Sequence, residues 1–481
     1  MTFASCYNTP VLRSPAKLAI GALLVSAPAL ADHASYHGTV VGSVATTDNV
    51  FAQPRANAEA DVYMQVRPGM LFAYDSPRFI QELSAEVEFL EYVAHGDKPS
   101  VTFRAAWSGF ITTGPRSQMT TSVDASTGQL NAMATRTSPD MVGINVVPPG
   151  QIDVRQGNAT EFLSYQAGKD TRISESVFGH WTATKDADPM IAVTTEAYET
   201  GMSLAGDHSF SSDTLAVEAG GSYVYLKRLD PMGVQMGSRL DRQLNPRATL
   251  TWRHDFNKQW SMSADAGGVY VNPIGIDPYN PMDKRRAAPF PIFGGTLAYT
   301  EAWGRAILSA RLSVTPNLYI AENTVDDDGS LSVAMPLPWL DENPHMRNPK
   351  LVGLGTVGFN RTQLIDPTMG GTLGSFYVAH LDAGVGYSPV PGQTYGLRYE
   401  FLYQTGNSTA TMIIPGYWRN TIFFTFSLRY PERVAATVPR RTQSLRSDRK
   451  DLAPTGAEPV VPDPADVLPD EGGGGNGDDE R

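Results

Sequence analysis

Nine charged side chains interrupt the wet faces of alternating segments and are the first candidates for chemistry: Glu82, Glu86, Glu88, Arg104, Asp265, Arg311, Asp382, Arg398 and Glu400. Guanidinium and carboxylate groups at similar heights on neighbouring strands can hydrogen-bond hydroxyl-rich solutes and sort ions by charge. Across the turn Ser388 to Gln393, Asp382 falls opposite or diagonal to Arg398 and Glu400. That is the ~5–8 Å range of cross-strand neighbours, so the three should form one charged cluster. A plainer reading stands beside it: such residues pair only to satisfy a polar wall.

Other chemistry is poorly supported. His180 with nearby serines, or His380 with Asp382, offers a base beside a potential nucleophile or carboxylate, but no third orienting group and no Gly-x-Ser-x-Gly elbow accompanies them. The eight histidines are scattered and form no His-x-x-x-His pair, so no zinc site is expected. Asp326-Asp327-Asp328-Gly329 begins like a calcium loop, yet Met335 stands where the bidentate glutamate belongs. That segment reads as an exposed loop, with divalent bridging to surface lipid as the lesser alternative. The single cysteine, Cys6, lies in the leader described below, which excludes internal disulfides and cysteine chemistry from the body of the chain. No enzyme activity, cofactor or metal is expected.

These candidates need strands to position them. The sequence has 481 residues, of which 41% are hydrophobic and only 18% charged, with 44 glycines, a balance that fits neither a long helical array nor a disordered chain. A net charge of -12 argues against nucleic acid as a partner, since phosphate neutralisation needs clustered cations. From Tyr36 to Tyr430 the dominant period is two. Ile422, Phe424, Phe426, Leu428 and Tyr430 alternate with Thr421, Thr425, Ser427 and Arg429, and Phe423 is the one apolar exception. Val101, Phe103, Ala105 and Trp107 alternate with Thr102, Arg104, Ala106 and Ser108. Tyr395, Leu397, Tyr399, Phe401 and Tyr403 alternate with Gly396, Arg398, Glu400, Leu402 and Gln404. One greasy and one wet face is the signature of a strand between two environments.

A water-soluble sandwich also alternates. Three features favour a closed transmembrane β-barrel. Many segments run to the ~10 residues that a tilted strand needs to cross a bilayer. Aromatic residues such as Tyr74, Tyr92, Tyr395, Tyr403 and Tyr430 sit near strand ends on the apolar face, as interfacial girdles do. Connections also alternate in length. Tyr74 to Arg78, Gly114 to Ser117, Ala167 to Asp170, Ser211 to Asp213, Asp255 to Lys258 and Ser388 to Gln393 are short. Asp48 to Ala60, Asp124 to Asn158, Lys227 to Asn245, Asn272 to Pro291, Ala321 to Asp328, Arg361 to Gly374 and Gly406 to Tyr417 are longer. With Ser330 to Pro338 taken as a short strand, parity gives an all-β, antiparallel barrel of about 18 strands, with about 16 as the alternative count.

The ends read differently. Arg13 and Lys17 precede an apolar stretch from Leu18 to Pro28, and Ala29-Leu30-Ala31 offers a small-x-small cleavage site, so residues 1–31 read as a secretory signal cut before Asp32. The barrel then occupies 32–430. Residues 431–481 carry a basic run, a Pro-rich acidic stretch and Gly472 to Gly475, too little apolar surface to offset the entropy of folding, so a disordered periplasmic tail is expected.

Thr46-Thr47-Asp48-Asn49-Val50-Phe51, Asp61-Val62-Tyr63, Arg67-Pro68-Gly69-Met70 and Tyr74-Asp75-Ser76-Pro77-Arg78 resemble the N-terminal pattern of the outer-membrane β-barrel porins associated with exopolysaccharide loci. Ser388-Pro389-Val390-Pro391-Gly392, Tyr399-Glu400 and the stretch Arg419-Asn420 to Tyr430-Pro431 resemble that group's closing hairpins, and myxobacterial exopolysaccharide porins are similar in kind. The resemblance implies an outer-membrane pore exporting a polysaccharide with a periplasmic export partner. A small hydrophilic solute is the other cargo considered, outer-membrane lipid surrounds the barrel, and the nine charged residues would line the pore. The alternative is a structural or adhesive barrel with a filled lumen and no transport.

Overall fold

In the computed structural model, the described residues are 34–430, except 77, 97–98, 130–151, 187–192, 231–236, 282–285, 302–303, 318–320, 338–349, 366–371, 391 and 408–415. The proposed leader, 1–31, and tail, 431–481, lie outside them.

The strands are β1 Ala34–Thr47, β2 Asp61–Ser76, β3 Phe79–Tyr92, β4 Ser100–Gly114, β5 Ser117–Gln129 and β6 Ile152–Gln166. There follow β7 Thr171–Asp186, β8 Thr194–Ser209, β9 Asp213–Leu229, β10 Arg239–Asp255, β11 Trp260–Pro273 and β12 Ala288–Glu301. The last six are β13 Gly304–Asn317, β14 Glu322–Pro336, β15 Leu351–Ile365, β16 Thr372–Tyr387, β17 Gln393–Gly406 and β18 Tyr417–Tyr430. Each pairs antiparallel with its chain neighbours in one 18-stranded sheet, and β1 pairs with β18 from Gly38↔Tyr430 to Thr47↔Thr421. No edge remains. A sheet closed this way satisfies its backbone polar groups without water, which hydrocarbon requires.

Side-chain parity decides what each face meets. Met64, Leu83, Phe103, Leu204, Val217, Leu308, Val357, Leu397 and Phe424 point outward and are exposed, a continuous apolar belt that no water-soluble surface of this size would carry. Trp260 packs on Tyr299 at 4.6 Å and Tyr395 on Phe426 at 5.2 Å near the short-turn end, forming part of one interfacial girdle. Among the described residues, no helix is long and apolar enough to cross a membrane; the strands cross it. Both β1 and β18 begin or end at the short-turn rim, which is the periplasmic side in such barrels.

Three expectations need correction. Asp326 to Gly329 is not a loop: β14 runs from Glu322 to Pro336 rather than from Ser330. Asp326 points inward and is held by the hydroxyls of Thr315, Thr324 and Thr362 at 2.5, 2.8 and 2.8 Å, so three hydroxyls satisfy the carboxylate on the wall, leaving it no role at an exposed loop. The connection length alternation also fails twice: β14 and β15 are separated by 337–350 on the short-turn side, and β13 and β14 by only 318–321 on the long-connection side. Lastly, Tyr92 belongs to no outward girdle; it faces the interior at 4% exposure, because it packs against a connection folded into the barrel.

Candidate functional lumen

All nine candidate residues fall on the inward face by register. Glu86 lies opposite Arg104 across β3 and β4, and Glu86 also pairs with Arg67 of β2 at 3.3 Å. Glu82 and Glu88 flank Glu86 on the same inward face of β3, and Glu88 is buried. Asp265 of β11 and Arg311 of β13 approach across β12 through a missing side chain: Gly294 is partner to both, and a Cβ there would lie 2.4 Å from the Asp265 carboxylate. Asp382 stands directly opposite Glu400. Arg398 bridges Asp382 and Glu400, the latter at 3.4 Å, while Arg419 of β18 binds Glu400 at 3.0 Å. The lumen thus carries three mid-strand charged groups, with the guanidiniums held by neighbouring carboxylates.

The two histidine dyads come out differently. His180 meets an amide, not a serine, with Nδ1 3.0 Å from Asn158 Oδ1, and Asn158 donates to Asp124 at 2.8 Å. His380 lies across Gly358 of the adjacent strand, where a Cβ would come within 2.0 Å of the imidazole. Glycine there gives the ring its room. Among the described residues, no group of three His, Cys, Asp or Glu is placed to hold a metal ion.

Residues that sequence reasoning did not single out narrow the outer mouth. The β1–β2 connection folds inward: Val50 and Phe51 pack with Tyr63, Leu90, Tyr92 and Phe423, and Ala52 packs with Val378, Leu402 and Tyr417. Burying side chains of this size stabilises the docked connection by ~1.5–3 kcal/mol each. Asn49 ties its turn, accepting from Gln53 N at 2.9 Å and donating to the carbonyls of Gln53 and Trp418 at 2.7 and 2.9 Å. His95, in the β3–β4 connection, bolts the far end: Nε2 lies 2.6 Å from Glu59 and Nδ1 2.7 Å from Asp61, with Phe51 edge-on to the ring at 5.0 Å. The hydrogen bond to Asp61 and the nearby Glu59 carboxylate raise the His95 pKa above its ordinary value.

A second inward contact crosses the mouth. Glu322, at the start of β14, accepts from Arg228 Nη1 at 3.0 Å and from Arg239 Nη1 at 2.7 and 2.9 Å. Those arginines belong to β9 and β10, and β10 is four strands away round the sheet. Ala321 beside it packs on Ala197, Val224 and Leu226. A small recess adjoins the bridge, lined by Val271, Phe290, Ile365, Arg239, Arg286 and Glu322. Ala52 and Ala321 both hold positive φ, 51° and 53°, and are the only described non-glycine residues that do. Each left-handed alanine costs ~1–2 kcal/mol, so the docking contacts around both must outweigh local strain.

A closed, lipid-facing sheet with a polar charged interior and constricted outer mouth is an outer-membrane β-barrel with a porin-like channel fold. No protein-family model matches the sequence, and no curated protein does. Among solved structures, OpdK of Pseudomonas aeruginosa aligns with a TM-score of 0.44 at 9% identity, over 82% of this chain and 99% of that one. OccAB3 of Acinetobacter baumannii aligns with a TM-score of 0.44 at 9% identity, over 83% and 100%. OpdQ of P. aeruginosa gives 0.44 at 10% identity, over 83% and 100%. OpdK is an outer-membrane protein, and nothing among these comparisons supports the exopolysaccharide-associated family.

Proposed function

We propose that the chain is a passive, non-enzymatic outer-membrane channel for small hydrophilic solutes. The observation that carries this reading is the combination of a mid-barrel polar interior, with the charged groups Arg67–Glu86–Arg104, Asp265–Arg311 and Asp382–Arg398–Glu400–Arg419, and an outer mouth narrowed by two inward contacts. Charged wall pairs favour hydrated solutes, and docked connections set the largest solute that passes. Export of a polysaccharide with a periplasmic partner is the second reading, favoured by the motifs at both ends of the barrel; it requires both inward contacts to open for the polymer.

Swelling of liposomes containing purified protein, with neutral sugars of increasing size, tests the first reading. Entry of monosaccharides but not larger oligomers supports it. A correctly folded barrel that admits nothing and is silent in planar bilayers would replace it with a structural or adhesive barrel. Loss of surface polysaccharide on gene deletion would favour export instead.

A further inference from the structure

Outward residues of β6 to β10 at the long-connection rim fall into two rows fixed by strand register. In the inner row, Trp181 pairs with Tyr198, Tyr198 with Tyr225, and Tyr225 with Arg242. Tyr198 stacks on Tyr225 with centroids 4.6 Å apart. Below this row the same surface is aliphatic, with Val177, Met202 and Val217 exposed, so the aromatics mark the boundary of the hydrocarbon. One row further out stand Arg155, Glu196 and Lys227, with Lys185 next to the rim. Lys227 has Glu196 at 3.7 Å. Arg155, Lys185 and Arg242 are exposed; Lys185 stands opposite the outward Asp153, and among the described residues none of the three cations forms an ion pair. Elsewhere on this rim the outward Arg361 is matched by Asp327 at 3.5 Å.

Arg155 and Lys185, beyond the aromatic row, and Arg242, at the end of it, stand at the depth of lipid headgroups rather than in open water. A cation held there gains most from phosphoryl oxygens, which lie at the same depth, and Arg adds forked donors suited to phosphate. We propose that the outer face of β6–β10 is a binding site for the phosphate groups of a phosphorylated glycolipid of the outer leaflet, held by Arg155, Lys185 and Arg242, with Trp181, Tyr198 and Tyr225 against its sugar and acyl junction. The site lies on the opposite side of the wall from the lumen and is independent of what passes through it.

The test titrates detergent-solubilised protein with bisphosphorylated lipid A and with its dephosphorylated counterpart, reading bound lipid by native mass spectrometry. Wild-type protein should prefer the phosphorylated lipid. Arg155→Gln, Lys185→Gln and Arg242→Gln together should weaken binding roughly fivefold per cation, on the order of a hundredfold in all. Lys169→Gln, in a short turn at the opposite rim, should change nothing. Folding is checked by heat-dependent gel mobility, and if the triple variant does not fold, the wild-type comparison of the two lipids still decides. Equal affinity for both lipids, undiminished binding by the folded triple variant, or displacement of the lipid by millimolar inorganic phosphate would each overturn the proposal.

Discussion

Replacing Glu322 with glutamine should release the contact that crosses the mouth. The amide keeps the shape of the side chain but removes a carboxylate that binds both Arg228 and Arg239, and Arg228 is 2% exposed. Removing one partner from a buried ion pair costs ~3–5 kcal/mol, because the remaining charge is left uncompensated. Arg239 retains Asp241 at 3.4 Å and Arg228 Nε retains the Gly237 carbonyl at 3.0 Å. The lower end, ~3 kcal/mol, is therefore appropriate, which shifts the ratio of docked to released states roughly a hundredfold. Single-channel recording in planar bilayers should show a larger mean conductance or frequent steps to a higher level. Glu322→Leu combined with Arg228→Met should restore part of the wild-type behaviour, since an apolar pair can replace a buried ion pair. Unchanged conductance in Glu322→Gln and in Arg228→Gln would refute the idea that this bridge limits the mouth.

Further outcomes follow from the other contacts. Phe51→Ala removes a buried ring packed 5.8 Å from Tyr92; at ~3–5 kcal/mol for such truncations, the β1–β2 connection should undock, seen as faster tryptic cleavage after Arg55. His95 acts with a definite sign: its folded pKa is raised by Asp61 and Glu59, so its hold on the connection is complete below the ordinary imidazole value and fades as pH rises through the raised one. Cleavage after Arg55 should therefore accelerate on going from mildly acidic to mildly alkaline pH, and His95→Gln should flatten that profile. Glu400→Gln leaves Arg419, 3% exposed, without its carboxylate; a loss of ~3–5 kcal/mol should lower the temperature at which the heat-dependent gel shift occurs. Ala321→Gly removes a left-handed alanine at φ 53° and should slow opening of the mouth in conductance records, whereas Ala321→Val should speed it.

Period two placed the strands and their faces, because a strand between lipid and a polar interior must alternate at every residue. The nine wall charges are on the inward face for that reason, and the cross-strand group Asp382–Arg398–Glu400 was legible from one short turn and its register. Arg67 was not among those nine; only the fold brought it to Glu86. Apolar residues on the wet face were the unread signal: Phe423, Leu402 and Tyr92 break the alternation where the β1–β2 connection docks. The β14 strand was misplaced because three consecutive aspartates look like solvent, whereas Asp326 is satisfied by hydroxyls from β13, β14 and β15.

The sequence by itself determined the all-β barrel, its strand parity and which charges face inward, since each of these depends on neighbouring residues and short turns. Only the tertiary structure decided how wide the mouth is. That depends on contacts between segments far apart in the chain, Val50 to Ala52 against β16–β18 and β2–β3, and Glu322 against β9 and β10. Local periodicity carries no information about which connection bends inward, because that choice is set by apolar and ionic partners assembled only when the sheet closes.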